Sequence, residues 1–378
     1  MGIRETQIKS VLLLGTESNL ALPVIRSLGK ELPEIKVYVI SPVNEKIKIP
    51  ESSRYISKRL ILESDLGSSE VVSELEEKME LYDIDLLIPI EEKYVEFISN
   101  NKDRLSKRVN LPPLTDTKRL RRITQKNELY KVLNELGFPS PKTISLNEQE
   151  LDHIEWNDFP CVIKPVHGFS GYGVAKVNSF EEIRKYFEEK RDAQYINMQE
   201  GYVLQEFIPG ENFGCSFIAQ EGKVLAFTIQ QGIEDRGMTY AKCVQFIKND
   251  HIESYIRNFV SQYNFSGIAN TDFRWDNRDD TYKMIDFNPR VWSTLMGSTD
   301  IGVNFMEVLI QMVAGKKVNA SYNDAIYYSG SGALRNILNK KDNKVEHYFD
   351  LMDRLRDPLP EFLSLWYRIS TRYIEYES

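Results

Sequence analysis

From residue 268 to residue 290 the chain reads IANTDFRWDNRDDTYKMIDFNPR. Alternate residues of an extended strand share a face. This groups Asn270, Asp272 and Arg274 on one segment, and Tyr282, Met284, Asp286, Asn288 and Arg290 on the next. Asn277–Thr281, NRDDT, has the composition of a turn between them. A hairpin centred near residue 279 sets Asp272 opposite Asp286 and Asn270 opposite Asn288. Two carboxylates directly across a ladder repel and weaken it. A divalent cation between them reverses that sign. The all-oxygen donor set of Asp272, Asp286 and Asn288 suits Mg2+ or Mn2+ rather than zinc. The other reading of these residues is a solvated hairpin face whose register a bulge has shifted.

Upstream, residues 161–177 read CVIKPVHGFSGYGVAKV. Two apolar strands flank a tip made of His167, Gly168, Phe169, Ser170, Gly171, Tyr172 and Gly173. No GK[ST] follows and the next element is a strand, so this is not a Walker A loop. Glycines let successive backbone N–H groups point into one concavity that suits phosphate oxygens. Lys164 on the entering strand can add a point charge to the same anion. A hairpin turn without a ligand is the alternative. Residues 203–213, VLQEFIPGENF, form a strand that breaks at Pro209-Gly210. The backbone of Glu206, Phe207 and Ile208 can meet an adenine edge there, with Glu211 and Asn212 near ribose hydroxyls; a plain β-turn is the other reading. Lys126 opens a helix, where a cation opposes the dipole at a cost of a few tenths of a kcal/mol, roughly. A facing anionic ligand would account for it, and so would a solvated side chain.

The elements that must hold these residues are legible in outline. Ser10–Gly15, SVLLLG, reads as a buried parallel strand, and Leu20, Val24, Ile25, Leu28 and Leu32 follow at helical spacing. Strands at 35–41 and 85–90, with a helix marked by Val71, Val72, Leu75 and Met79 between them, continue an α/β alternation to about residue 115. Only Gly15 stands where a GxGxxG loop would begin, so the shape is Rossmann-like without a dinucleotide site. Leu111-Pro112-Pro113 reads as a linker. A helix over 126–136 stops at Gly137. Residues 160–178 and 202–232 alternate at period two and read as antiparallel sheet, with helices at 180–190, 252–263 and about 302–314. A polar tail of mixed pattern, 319–378, follows, and its Asp357-Pro358-Leu359-Pro360 has no assignable chemistry.

A chain of 378 residues predicts two or three domains at ~150 residues each. The net charge of -8 supplies no basic field for nucleic acid. No apolar run approaches the ~18 residues of a membrane span. Three scattered cysteines and the lack of an HExxH pattern point to a reducing, cytoplasmic setting without a zinc site. Gly2 and Thr6 fit a loose myristoylation pattern, and Asn319-Ala320-Ser321 a glycosylation triplet, both too short to carry weight.

In order and spacing the motifs resemble the ATP-grasp superfamily over roughly residues 1–315. The resemblance rests on Lys126 before GFPSP, Lys164 before HGFSGYG, QEFIPG at 205–210 and DFNPR at 286–290. The 14-residue spacing from Asp272 to Asp286 is similar to the carbamoyl-phosphate-synthase-like branch. The resemblance implies mixed α/β and α+β architecture. A pre-ATP-grasp Rossmann-like domain (1–115) precedes a small lid subdomain (116–200), a large subdomain with the metal site (201–318) and a C-terminal extension (319–378). It implies Lys126 and Lys164 on the phosphates, His167, Gly168, Ser170, Gly171 and Gly173 in a closing flap, and Glu206, Phe207 and Ile208 at adenine. Glu211 or Asn212 would sit at ribose. Asp272, Asp286 and Asn288 would hold two Mg2+ or Mn2+ ions, and Arg290 would steady a phosphorylated intermediate. The chain departs from the family pattern with Asp286 in place of Glu, Asn212 at the usual ribose acid, and Gln125 before the first lysine.

The chemistry so implied is ATP-dependent joining of a small-molecule carboxylate to an amine through an acyl phosphate, with ADP and phosphate released. Lys164 and Arg290 would be the catalytic cations. The substrates would lie near Glu91, Arg290 and the loop 231–242, which carries Glu234, Asp235, Arg236 and Lys242. A bicarbonate- or carbamate-activating enzyme and a non-catalytic ATP-binding protein are the alternatives. Family habit implies an oligomer, with a homodimer as the candidate assembly.

Overall fold

The structure, a computed structural model, describes residues 7–43, 49–147, 151, 154–166, 171, 173–190, 201–233, 243–328, 346–349 and 351–377. Strand β1 (Ser10–Leu14) is apolar and buried at every position. That requires cover on both faces, and period two divides its side chains between two cores. Val11 and Leu13 pack with Val24, Ile25 and Leu28 of helix α1 (Ala21–Glu31). Leu12 and Leu14 pack the other way, against Val71 and Leu75 of α2 (Val71–Leu81) and Phe97 of α3 (Glu92–Asn100). Each such fully buried aliphatic side chain contributes about 1.5–3 kcal/mol. β1 pairs in parallel with β2 (Lys36–Pro42), which pairs with β3 (Lys58–Leu62), and on its other edge with β4 (Leu86–Pro89). The order is β3-β2-β1-β4, the open α/β layer that the sequence predicts.

Gly15 ends β1 at φ +92°, and a Cβ there would overlap the Tyr94 ring. Buried Tyr94 thus covers the mouth of the first strand–helix turn, where a dinucleotide phosphate would otherwise approach. A short α4 (Lys102–Leu105) and the irregular stretch 111–116 lead to α5 (Thr117–Thr124) and α6 (Lys126–Glu135).

Two antiparallel sheets follow. The small one holds β5 (Thr143–Leu146), β6 (Cys161–Pro165), β7 (Ala175–Val177) and β8 (Tyr202–Glu206) in the order β5-β8-β6-β7. Helix α7 (Phe180–Lys190) covers it through Ile183, Tyr186 and Phe187. The large one is formed by β9 (Asn212–Gln220), β10 (Lys223–Gly232), β11 (Cys243–Ile247), β12 (Gly267–Asp276), β13 (Thr281–Asn288), β14 (Ala325–Tyr328) and β15 (Glu346–Phe349). Its order is β13-β12-β9-β10-β11-β14-β15, all antiparallel except the last pair. Residues 160–178 and 202–232 are therefore antiparallel as expected but belong to two sheets, and β8 joins the small one. The chain crosses between sheets at Phe207–Glu211, so QEFIPG is the link between lobes.

Helix α8 (Asp250–Tyr263) covers one face of the large sheet, with Ile256, Phe259 and Val260 on Phe217, Phe273 and Phe287. Beyond β13, Trp292, Phe305 and Met306 of the α9 (Leu295–Asp300) and α10 (Phe305–Val313) region share one core with Val11, Val24 and Leu28. The first domain and the large lobe are joined by that apolar cluster.

The tail also docks. Between α11 (Leu351–Arg356) and α12 (Leu359–Glu377), buried Asp357 accepts from Arg26 Nε at 3.2 Å, Ser53 Oγ at 2.7 Å and the Arg54 N–H at 2.9 Å. Among the described residues no helix is long and apolar enough to cross a membrane.

Candidate active site

The β12–β13 ladder carries the two acids. Asn270 pairs with Asn288, Thr271 with Phe287 and Asp272 with Asp286, as the hairpin register predicts. One step on, Phe273 pairs with Met284, so Ile285 is an extra residue. This bulge changes the face assignment. Met284 is buried in the core with Phe273 and Phe287, and Tyr282 packs against that same core. Tyr282 and Met284 therefore do not share a face with Asp286 and Asn288, because one inserted residue inverts the alternation. Facing carboxylates and a bulge, offered by the sequence as alternatives, occur together.

Asn270 accepts from Ser216 Oγ at 2.9 Å and donates through Nδ2 to Asp272 at 3.3 Å, which fixes that carboxylate. Burial first, and then the charge of Asp286, pushes the Asp272 carboxyl up to about 6. Asp286 has Lys126 Nζ 3.8 Å from its Oδ1. Lys126 is buried at the start of α6, so it does not sit in solvent. Lys164 on β6 is buried as well. Burial pushes its ammonium down to about 8, against the opposing pull of Asp286. Its Nζ donates to Gln205 Oε1 at 2.6 Å, and Gln205 donates to Thr143 Oγ1 at 3.1 Å. Two lysines and two carboxylates from four separate elements thus meet at one place.

Arg290 follows Pro289 at the end of β13. Its NH1 donates to the Val291 carbonyl at 3.0 Å and its NH2 to Asn288 Oδ1 at 3.4 Å. Its Nε lies 3.5 Å from Glu91 Oε2 of the first domain. Glu92 beside it is a site residue that the sequence reading missed. Burial pushes its carboxyl up, with Thr124 in hydrogen-bonding reach and Asp286, Arg290 and Lys126 in its field. The signal was an acidic pair directly after β4. In the order β3-β2-β1-β4 the ends of β1 and β4 flank the switch point where open α/β sheets bind ligands.

At the inter-lobe link the Glu206 N–H donates to the Lys142 carbonyl at 2.8 Å, and the Glu206 carboxylate pairs with Arg278. Lys176 Nζ lies 4.0 Å and Arg274 Cζ 5.5 Å from the Phe207 ring centroid, and Ile208 is buried. Glu211 accepts from Gln231 at 2.9 Å and Asn212 from Arg274 at 2.9 Å. A Cβ on Gly210 would overlap the Trp275 carbonyl oxygen, so the link passes the large sheet at backbone contact.

Of the expected flap, Gly171 and Gly173 take φ +75° and +70°, the left-handed turn geometry that glycine permits. His167, Gly168 and Ser170 lie outside the described residues, as do Glu234, Asp235, Arg236 and Lys242 of the substrate loop. No group of three or more His, Cys, Asp or Glu side chains suited to a metal occurs among the described residues. The candidate set is two carboxylates and the Asn288 amide.

Known proteins bear on this arrangement. The sequence profile of the ATP-grasp domain matches residues 123–294. A D-aspartate ligase of Enterococcus faecium is 27% identical over 236 residues, covering 54% of this chain and 53% of that protein. The C-terminal section of a carbamoyl phosphate synthase large chain from Methanopyrus kandleri is 22% identical over 218 residues, with 54% and 40% covered. The chain thus spans about half the length, or less, of these relatives. Among solved structures, an L-amino acid ligase from Bacillus licheniformis superimposes with a TM-score of 0.63 at 19% identity, over 82% of this chain and 75% of that one. An N5-carboxyaminoimidazole synthetase from Staphylococcus aureus, complexed with ADP, gives 0.66 at 13% identity, over 89% and 87%. The match spans the lysines, the inter-lobe link and the paired acids: residues 123–294 match the ATP-grasp domain.

Proposed function

We propose that the chain is an ADP-forming ligase that activates a small-molecule carboxylate with ATP and joins it to an amine. The observation that carries this reading is the Asp272–Asp286 pair with Lys126 and Lys164 converging on it. Facing carboxylates, one of them driven up to about 6, with an amide oxygen beside them, fit hard divalent cations. Asp272, Asp286 and Asn288 would hold Mg2+ or Mn2+, two ions in this reading. Bound Mg-ATP supplies the phosphoryl group that makes the carboxylate an acyl phosphate. Lys126 and Lys164 neutralise phosphate charge, and Gln205 keeps the Lys164 ammonium aimed. Backbone at Glu206–Ile208 meets adenine, Glu211 or Asn212 the ribose, and the flap at 167–173 covers the phosphates. Arg290 holds the anionic end of the activated acid. Positioning and charge neutralisation suffice for such a transfer, without a protein nucleophile.

Similarity to D-aspartate ligase and L-amino acid ligase supports an amino acid as one of the two substrates. The carbamoyl phosphate synthase relative puts bicarbonate with ammonia in the same panel. The division at 115 and 318, a cytoplasmic location and a homodimer belong to the same reading, with the lid boundary moved from 200 to beyond β8, which pairs in the small sheet. ADP release measured over a panel of acids and amines with Mg2+ tests it. ADP that requires both an acid and an amine is expected. Tight Mg-ATP binding with no turnover on any pair would make the chain a non-catalytic nucleotide binder.

A further inference from the structure

Among the described residues the first domain reaches the site at the start of α3. β4 ends at Pro89, and the Ile90 N–H donates to the Leu14 carbonyl at 3.0 Å. Glu91 is then the N-cap of α3, its carbonyl accepting from the N–H groups of Tyr94 at 2.9 Å and Val95 at 3.0 Å. The backbone of Glu91 is therefore held by both a strand and a helix. Its two carboxylate oxygens have separate partners. Ser18 Oγ, in the turn after β1, donates to Oε1, and Oε2 lies 3.5 Å from Arg290 Nε. The Leu20 N–H donates to Ser18 Oγ at 3.2 Å, which leaves the serine proton for Glu91. A polar chain Leu20–Ser18–Glu91–Arg290 crosses from the first domain to the grasp core.

The surroundings confine the arginine further. A narrow cavity under Arg290 is lined by Pro89, Pro112, Leu120, Phe265 and Val291, and the side chains of Arg290 and Glu91 are 14% and 29% exposed. A guanidinium has five N–H groups in a planar fork. Here Nε faces Glu91, NH1 the Val291 carbonyl and NH2 Asn288. Among the described residues one N–H on each terminal nitrogen is left for an incoming anion, the arrangement that suits a carboxylate or phosphate.

We infer that Glu91 is a positioning residue for Arg290, that Ser18 orients it, and that the first domain thereby completes the anion-binding fork of the grasp core. This rests on the ligase reading, and it predicts more than that reading does. A misplacement near 1 Å of a group that holds substrate costs on the order of 100-fold in rate. Glu91→Ala should therefore lower kcat by ~10–100-fold while the KM for ATP, set by the two lysines and the link, stays near the wild-type value. Because Glu91 acts through Arg290, Glu91→Ala should add nothing in an Arg290→Ala background.

Two experiments test this. In the first, the Arg290 Nε–H resonance, assigned by its loss in Arg290→Lys, is followed by NMR of arginine-labelled protein. Slow exchange with water that becomes at least severalfold faster in Glu91→Gln, and faster to a lesser degree in Ser18→Ala, is expected. An unchanged rate in Glu91→Gln overturns the proposal whatever the reaction proves to be. In the second, the two single variants and the double variant are compared in ADP release. A double variant no slower than Arg290→Ala supports positioning. Multiplying losses, or Glu91→Ala at the wild-type kcat, overturn it. Absence of turnover in the wild type itself counts against the ligase reading only, and the exchange result still stands.

Discussion

Asp272→Asn should make the nucleotide-free protein more stable at neutral pH. The Asp272 carboxyl rises from 3.8 to about 6 on folding, by burial and by the facing Asp286. About two pH units correspond to about 3 kcal/mol at pH 7. The side chain keeps some solvent contact, so screening reduces this to about 1–2 kcal/mol. The sign follows from linkage. A folded-state pKa above the unfolded value means that the folded protein holds the proton more tightly. The stabilising proton is in place near pH 4 and is lost as pH rises through about 6, so the penalty is complete at pH 7. Asparagine keeps the shape without the charge and removes it. Thermal unfolding of both proteins from pH 4.5 to 7.5, without nucleotide or Mg2+, measures the difference. The variant should unfold a few degrees higher at pH 7, roughly, and the gap should close towards pH 4.5. With Mg-ATP the order should reverse, because only the wild type gains from the cation. A variant less stable than wild type at pH 7, or a gap independent of pH, would refute the reasoning.

Lys164, pushed down to about 8 by burial, should make ATP affinity fall as pH rises above about 8, and Lys164→Met should bind weakly with no such slope; titration calorimetry between pH 7 and 9 reads both. Asp357→Ala leaves buried Arg26 without its main carboxylate and should destabilise the protein by ~3–5 kcal/mol, seen in denaturant unfolding. Gly210→Ala forces a side chain onto the Trp275 carbonyl and should weaken nucleotide binding, with the Asp272–Asp286 hairpin intact by circular dichroism and proteolysis.

The parts of the site that were legible in the sequence are those set by short-range geometry. The NRDDT turn lies between the two strands it joins, so its composition carries the Asp272–Asp286 register. The apolar runs at β1 and β4 and the helical spacing between them show the first α/β layer, and ordered motifs show the grasp fold. The bulge was not legible, because Met284 and Ile285 are both apolar and period two offers no warning of an extra residue. Nor was the division of β8 and β9 between sheets, since β8 pairs with β5 and β6, and β9 on one edge with β12, all remote in sequence. Glu91 was legible with Arg290 as a neighbour of the substrates, but Glu92 beside it was not, and only the fold brings it into the field of Arg290. Asp357 had no visible role because Arg26, its partner, is at the opposite end of the chain.

The central claim is that a substrate carboxylate attacks ATP. Once the acid and amine are known, turnover with the acid labelled with 18O in both carboxylate oxygens tests it, with mass spectrometry of the released phosphate. The carboxylate oxygen that bonds to phosphorus leaves with it when the amine attacks carbon, so each phosphate should carry a single 18O. Unlabelled phosphate would contradict the account, whatever the rate of ADP release.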